Sequence, residues 1–395
     1  MKILFLSRWF PFPPNNGSKI RILNLLRILA DNHQVSLLSF DDEPEKPPQV
    51  EELETICEQV ITIPWKAFEP TSKRSVLGFF NLKPRTLIDT FSNEMAQQIQ
   101  SILVEQAFDV VIASQIEIAS YFPYFNGRAA IFDEIEIGIP LDRYLKSSST
   151  CGRFRYGITW LKLKHYLKRM LKYYPVCTVA SADERKLVID IGIPGEQVTT
   201  IPNFIDLADY QTFSGREKTN TLIFTGAFRY RPNYEAMVWF LEKVYPAVLD
   251  RVPDVQMIIT GDHMDLPLPR VKHVVKTGYV DDIRPLISQA AVSIVPMQTG
   301  GGTRLKILEA MALKTAVVST SKGAQGIEVT HERDILLADT PQAFSQAVIQ
   351  LLLHKDQAAG LVRQGTKLLE AHYTPQAISA KYEKLLQQAV QKHPS

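Results

Sequence analysis

Residues 296–312 read PMQTGGGTRLKILEAMA and follow the apolar run Ala291–Val295, AVSIV. The order is a buried strand, a turn with three consecutive glycines (Gly300, Gly301, Gly302), then a helix predicted over Thr303–Leu313. Glycine lets the backbone take unusual angles and lets a ligand come close to it. The unpaired N–H groups at a helix start, with the helix dipole, favour an anion. Arg304 and Lys306 add positive charge beside that turn; arginine grips oxyanions bidentately and lysine acts as a point charge. Glu309 lies too far into the helix to cap it and is placed to accept hydrogen bonds from sugar hydroxyls. A glycine-rich loop with a surface ion pair is the plainer alternative, and the strand-to-helix context argues against it.

The same alternation runs outward from this stretch. Residues 2–6 (KILFL) form a strand, a Pro/Asn/Gly loop follows, and Ile22, Leu25, Leu26 and Leu29 recur at helical spacing over 19–30. VSLLSF (35–40) is the next strand. In the second half TLIFT (221–225) is a strand and 234–249 a helix, with strands over 257–260, 271–275, 315–319 and 334–338. Thr340-Pro341 and Thr374-Pro375 each place a capping threonine before a proline at the first helical position, and the last helix runs over about 375–391. Alternating strands and helices of this length predict α/β layers on parallel sheets. The polar stretch 212–220 sets the boundary between two units, 1–212 and 213–374, with ligands expected in a cleft between domains.

Composition narrows the class. With 395 residues, 45% hydrophobic and 22% charged, the chain is an ordinary globular protein of two or three domains. A net charge of +2 does not suggest a nucleic-acid partner. Cys57, Cys151 and Cys177 are scattered, with no metal spacing, and read as reduced thiols. No signal peptide or spanning segment is visible, so a cytoplasmic location is expected. The loop SRWFPFPPNNGS (7–18) lacks a G-x-G-x-x-G fingerprint, which argues against a dinucleotide oxidoreductase.

Two further clusters stand out. FDEIEIG (132–138) puts Asp133, Glu134 and Glu136 at the carboxyl end of a strand, where open α/β sheets bind ligands. A carboxylate there can accept the proton of an attacking hydroxyl; the plainer reading is a solvated loop. Residues 151–175 carry seven basic residues from Arg153 to Lys172, no acid, and Trp160, Leu163, Leu167 and Met170 at helical spacing. Such a basic amphipathic helix suits anionic lipid, so peripheral membrane contact through 153–174 is one expectation and a core-packed helix the other.

The donor-type turn, together with FTGAFRYRPNYEAMVWF (224–240), TGYVDDIRPLISQAAVSIVPM (277–297), AVVSTSKGAQGI (316–327), PFPPNNGSKIRILNLLRIL (11–29), VASADERKL (179–187) and IPNFID (201–206), resembles family 4 glycosyltransferases across nearly the whole chain. The resemblance implies a GT-B fold: two Rossmann-like domains facing across a cleft, the C-terminal helix (about 375–395) returning to the first. It implies a retaining transfer from a nucleotide-diphosphate sugar to a hydroxyl of a saccharide or lipid-linked acceptor, in polysaccharide or glycolipid synthesis, with no cofactor and no metal. Gly300, Gly301, Gly302, Thr303, Arg304 and Lys306 would hold the diphosphate, Glu309 the ribose, and Tyr279 and Val280 the base. Gly226 and Arg229 would line the donor side, and Gly17 the acceptor side near the phosphates. Asp133 and Glu136 resemble an acidic pair of the acceptor region. The chain departs from the family at two places. The first Glu of its E-x7-E motif falls on Gly301, and Asn233 stands near the position of a family lysine, whose role Arg304 and Lys306 would take in a GGGTRxK sub-branch. A nucleotide-sugar epimerase and a non-catalytic nucleotide-sugar-binding partner stay open as alternatives.

Overall fold

The computed structural model describes residues 1–43, 47–147, 149–211, 213, 218–300 and 304–392. The chain divides into two compact units, Met1–Asn203 with Ile378–Ser395, and Phe204–Ala377. The sequence boundary at 212/213 falls later than this division, and residue 212 lies outside the described residues. The difference has a local cause. Ile205 N donates to Tyr373 O at 3.0 Å and Arg284 Nη1 to Asp209 O at 2.5 Å, so segment 204–210 is bonded into the second unit.

The first unit is built on a seven-stranded sheet, order β3-β2-β1-β4-β5-β6-β7. Its strands are β1 (Lys2–Ser7), β2 (Gln34–Asp41), β3 (Gln59–Pro64), β4 (Val110–Ser114), β5 (Ala129–Asp133), β6 (Val176–Val179) and β7 (Val198–Thr200). Every neighbour pair is parallel. β1, β4 and β5 are buried along almost their whole length, as expected of strands covered on both faces. Helix α1 (Gly17–Ala30) returns the chain from β1 to β2. It starts where Asn16 Oδ1 accepts Lys19 N at 3.1 Å, and it buries Ile22, Leu25, Leu26 and Leu29 as their spacing predicts. Helix α2 (Thr150–Met170) begins at Ser149, whose Oγ accepts Gly152 N.

The second unit has a six-stranded parallel sheet, order β10-β9-β8-β11-β12-β13. Its strands are β8 (Lys218–Thr225), β9 (Gln256–Thr260), β10 (Val274–Gly278), β11 (Ala290–Val295), β12 (Ala316–Ser319) and β13 (Leu336–Leu337). β10 lies three residues later than the apolar run 271–275 suggests. It is an edge strand with three exposed positions, so apolar content is a weak guide to it. The helix expected over 234–249 is interrupted. Helix α3 (Arg231–Trp239) passes into a π-helical turn, Phe240–Val244, before helix resumes at Tyr245–Arg251. Pro246 supplies the reason, since it brings no N–H to the helical ladder.

Helix α4 (Leu305–Ala312) follows β11, and α5 (Pro341–Leu353) and α6 (Lys355–His372) complete the unit. The last helix, α7 (Pro375–Gln391), passes into the first unit from Ile378. It buries Ile378, Tyr382, Leu385, Leu386 and Ala389 there, and Glu383 Oε1 lies 2.7 Å from His33 Nε2. The two units are therefore Rossmann-like α/β layers, the architecture read from the sequence.

Candidate functional site

Each sheet reverses its winding direction at one place, β1/β4 in the first unit and β8/β11 in the second. The carboxyl ends of strands at such a reversal diverge into loops and leave a crevice that ligands occupy. In the second unit those loops are 226–230 and the stretch after Val295, so Pro296–Gly300 and Arg304 stand at the reversal point.

Gly226 has φ +153°, and a Cβ there would meet Asn233 Cγ at 2.9 Å, so the chain needs glycine to pass. Asn233 Nδ2 donates to Ala227 O at 2.8 Å and closes the loop into the first turn of α3. Lys306, in the first turn of α4, reaches back to this loop. Its Nζ donates to Thr225 O at 2.6 Å and to Asn233 Oδ1 at 3.2 Å, and lies 4.2 Å from the Phe224 ring centroid. The side chain from α4 thus delivers a cation to the end of β8, beside Asn233. Burial first and the Arg304 charge second pull the Lys306 ammonium down to about 7, with Glu309 opposing.

Arg304 is the residue immediately before α4 and is 7% exposed. Its Nε and Nη2 are buried with no hydrogen-bond partner among the described residues. Gly300, at φ +99°, brings the turn against it: a Cβ there would lie 3.1 Å from Arg304 Nη2 and also against Tyr230 Oη. Leaving charged donors buried and unmet is costly, which marks the place as one built to receive acceptor atoms. Gly301, Gly302 and Thr303 lie outside the described residues.

Glu309 shares the face of α4 with Lys306, three positions away. Burial raises its carboxyl above the usual range, with Lys306, Tyr210 and Arg284 holding it back. Tyr210 Oη donates to Glu309 Oε1 at 3.4 Å, and the Tyr210 hydroxyl is itself raised by burial and by the Glu309 charge. Nothing in the sequence singles out Tyr210, since it comes from a different stretch of chain.

Other expected donor residues stand apart from this cluster. Arg229 is well exposed and pairs with Asp262 at 2.9 Å. Tyr279 is 63% exposed and Val280 half-buried; both follow β10, whose Gly278 O accepts Gly261 N at 2.9 Å. Their side chains make no contact that ties them to Arg304 or Lys306.

In the first unit Asp133, expected on the acceptor side, is bonded within the chain. It is fully buried at the end of β5 and bound on both oxygens: Arg21 Nη2 donates to Oδ1 at 2.8 Å and Nε to Oδ2 at 3.1 Å. Thr178 Oγ1 donates at 2.7 Å and Tyr382 Oη at 3.4 Å. Arg21 Nη1 also donates to Ile201 O and Asn203 Oδ1, and the carboxylate and burial together decide its charge: burial opposes it, Asp133 and Glu134 hold it well above the ordinary value. Asp133 therefore ties α1, β5, β6 and α7 together. Glu136 is exposed on the following loop. Gly17 is the exposed first residue of α1, its N–H at the mouth of the β1 loop.

The sequence reading named Glu134 without giving it a role and passed over Gln115. Gln115 (φ +69°) and Glu134 (φ +64°) are non-glycine residues in the left-handed region at the ends of β4 and β5. Gln115 Nε2 donates to Ser18 Oγ and to Glu134 Oε2, both at 3.1 Å. Strain of this kind collects at functional sites and has no compositional signature. Among the described residues no group of three His, Cys, Asp or Glu side chains is placed to hold a metal ion. No described helix is long and apolar enough to cross a membrane.

Comparison with known proteins agrees with this geometry. Residues 15–209 match the model for "Glycosyltransferase Family 4" and residues 219–354 that for "Glycosyl transferases group 1". An uncharacterized 44.6 kDa protein in the cps region of Klebsiella pneumoniae is 22% identical over 375 residues, covering 88% of this chain and 90% of that one. Among solved structures, sucrose-phosphate synthase from Thermosynechococcus elongatus superposes with a TM-score of 0.71 at 16% identity, covering 98% of this chain and 99% of that one. HepE from Anabaena in complex with UDP and glucose superposes at 0.66 and 15%, with the same coverage. TarM from S. aureus, in a complex containing UDP, superposes at 0.65 and 12%, covering 98% and 100%.

Proposed function

Because the chain belongs to glycosyltransferase family 4 and has the GT-B fold, we propose that it moves a sugar from a nucleotide-diphosphate donor to a hydroxyl acceptor, with retention at the anomeric carbon. The observation that carries this reading is the pair of unmet Arg304 donors beside Lys306, at the crevice where the second sheet reverses. A diphosphate supplies the oxygens those donors lack. As the bond between the anomeric carbon and the leaving oxygen breaks, charge grows on the diphosphate, and Arg304, Lys306 and the α4 start stabilise it electrostatically. Gly300 to Gly302 and Thr303 would cradle the same group through backbone N–H groups. Glu309, with one oxygen on Tyr210, accepts from ribose hydroxyls. Gly226 and Arg229 line the donor side, and Tyr279 and Val280 meet the base through their backbone.

With Asp133 fully engaged by Arg21 and Thr178, the acceptor proton passes most simply to the departing phosphate oxygen on the same face. The acceptor oxygen then bonds to the anomeric carbon as that phosphate leaves. Gly17 and Glu136 remain the acceptor-side residues of this reading. No metal or cofactor is invoked, and the transfer serves polysaccharide or glycolipid assembly.

A membrane-facing surface belongs to the same proposal. Phe154 (73% exposed), Ile158 and Leu161 form an exposed stripe on α2 among Arg153, Arg155 and Lys162. Lys162 Nζ donates to Gly78 O and Phe79 O, which brings this stripe to the exposed Leu77, Phe79, Phe80 and Leu82. Apolar side chains ringed by cations fit an anionic lipid surface at the cytoplasmic face, where a lipid-linked acceptor is presented.

The test of the transfer reading is a thermal-shift panel of nucleoside diphosphates and their sugars. At a hundred times Kd a ligand adds about 2.7 kcal/mol of stability, a readable rise in Tm. At least one diphosphate should raise Tm and the matching monophosphate should do so far less. A panel with no response at millimolar concentration overturns the proposal, and conversion of a nucleotide sugar to its epimer without acceptor would replace it.

A further inference from the structure

Arg8 follows β1 directly, at the reversal point of the first sheet. Its guanidinium carbon lies over the Trp65 ring, 3.4 Å from the centroid, and 4.3 Å from that of Trp9. The residue is 9% exposed, and Nη1 is buried with no hydrogen-bond partner among the described residues. Burial pulls this guanidinium down to about 10, with Glu117 and Asp42 opposing through their charge. Neither carboxylate hydrogen-bonds to it. Asp42 accepts Phe10 N at 3.2 Å and pairs with Lys19 at 3.2 Å. Glu117 is itself raised by burial, as is Glu134, which takes Gln115. Asp133 is held by Arg21.

The surroundings are a built crevice edge. Trp65 follows β3, Asp42 follows β2, Glu117 sits in the turn of helix after β4 and Glu134 follows β5, so all four lie with Arg8 at the carboxyl ends of the strands. The first residues of α1 join them through Ser18 and Gln115. A guanidinium stacked on indole rings donates only in its own plane, so the unmet direction of Arg8 is edge-on. A sugar hydroxyl could satisfy one donor there but would leave the buried charge unpaired. An oxyanion satisfies the donor and the charge together.

We infer that Arg8 anchors an oxyanion carried by the acceptor, a phosphate or a carboxylate, against Trp9 and Trp65. This rests on the transfer reading above and narrows it: the acceptor is an anionic molecule, and Arg8 is what selects it.

The experiment uses the full chain carrying R304Q, which removes the Arg304 donors from the titration and leaves Lys306 the same in every variant compared. Calorimetry with inorganic phosphate, D-glucuronate and D-glucose is run on this protein and on R304Q/R8Q and R304Q/R8K. Phosphate or glucuronate should bind R304Q, at least tenfold less tightly after R8Q, with most of the affinity kept by R8K, and glucose should bind no better in R304Q than in R304Q/R8Q. The phosphate arm reports a phosphorylated acceptor and the glucuronate arm an acidic sugar. Equal anion binding with and without R8Q overturns the inference, as does glucose binding as well as the anions. If R8Q does not fold, a crystal of the R304Q protein grown in sulfate decides: sulfate within hydrogen-bond distance of Arg8 Nη1 supports the anchor, and its absence there overturns it. The wild-type nucleotide panel is independent of Arg8, so its failure would strike the transfer reading, while anion binding lost with R8Q would still assign the oxyanion site to Arg8.

Discussion

Replacing Arg304 by methionine separates what the residue costs the folded chain from what it does for a ligand. Met keeps most of the apolar stem and removes the charge. Nε and Nη2 are buried without a partner among the described residues, and each such donor costs roughly 1–3 kcal/mol against its hydrated state. Arg304 also pushes charge away from Lys306, whose ammonium it helps hold near 7. Relief of both effects outweighs the lost guanidinium packing, and the second unit should gain about 1–3 kcal/mol. For a unit of this size that is a rise in Tm of roughly 2 °C or more. The same variant should lose the stabilisation by nucleoside diphosphate, because the missing charge-assisted bonds are worth about 1.5–3 kcal/mol each. Differential scanning fluorimetry of wild type and R304M, with and without ligand, reads both quantities in one plate. A variant less stable than wild type that still responds to the diphosphate would refute the reasoning, since Arg304 would then be a structural residue.

Three other outcomes follow from the geometry. The Lys306 ammonium, near 7 when free, should be held charged by a bound diphosphate, so affinity should fall as pH rises above about 7 and K306M should flatten that dependence; isothermal titration at pH 6.5, 7.5 and 8.5 checks it. In the ligand-free chain the sign is opposite: between about 7 and the ordinary 10.5 the unfolded state binds more protons at this lysine, which contributes a stability that rises with pH. Breaking the buried Arg21–Asp133 pair from one side, as D133N or R21M, should cost about 3–5 kcal/mol in urea denaturation, and a D133N protein of native stability that has lost only turnover would restore Asp133 to the acceptor chemistry. Finally, wild type should sediment with phosphatidylglycerol vesicles and much less with phosphatidylcholine, and F80S/L161S should cut that binding at least tenfold; equal sedimentation would place the lipid contact elsewhere.

Much of the site was legible because its signals are local. A glycine run between an apolar strand and a helix, with cations at the helix start, needs no distant residue to be understood. The same holds for α1, whose Asn16 cap and leucine spacing lie within one stretch. The partners of Asp133 were not legible, for the opposite reason. Its loop looks solvated and acidic, but its partners Arg21 and Tyr382 are 112 and 249 residues away. Arg8 and Trp65 likewise meet only because β1 and β3 belong to one sheet.

The sequence by itself determined the alternation of strands and helices, the two parallel sheets and the place of the glycine-rich stretch between β11 and α4. Those properties depend on backbone preference and on which side chains avoid water, both expressed over a few neighbouring residues. Only the tertiary structure decided which charges are answered. It paired Arg21 with Asp133, aimed Lys306 at the end of β8, and left donors of Arg304 and Arg8 without a partner among the described residues. A charge in a dry interior takes its meaning from groups within a few ångströms, and chain folding, not chain order, sets that distance.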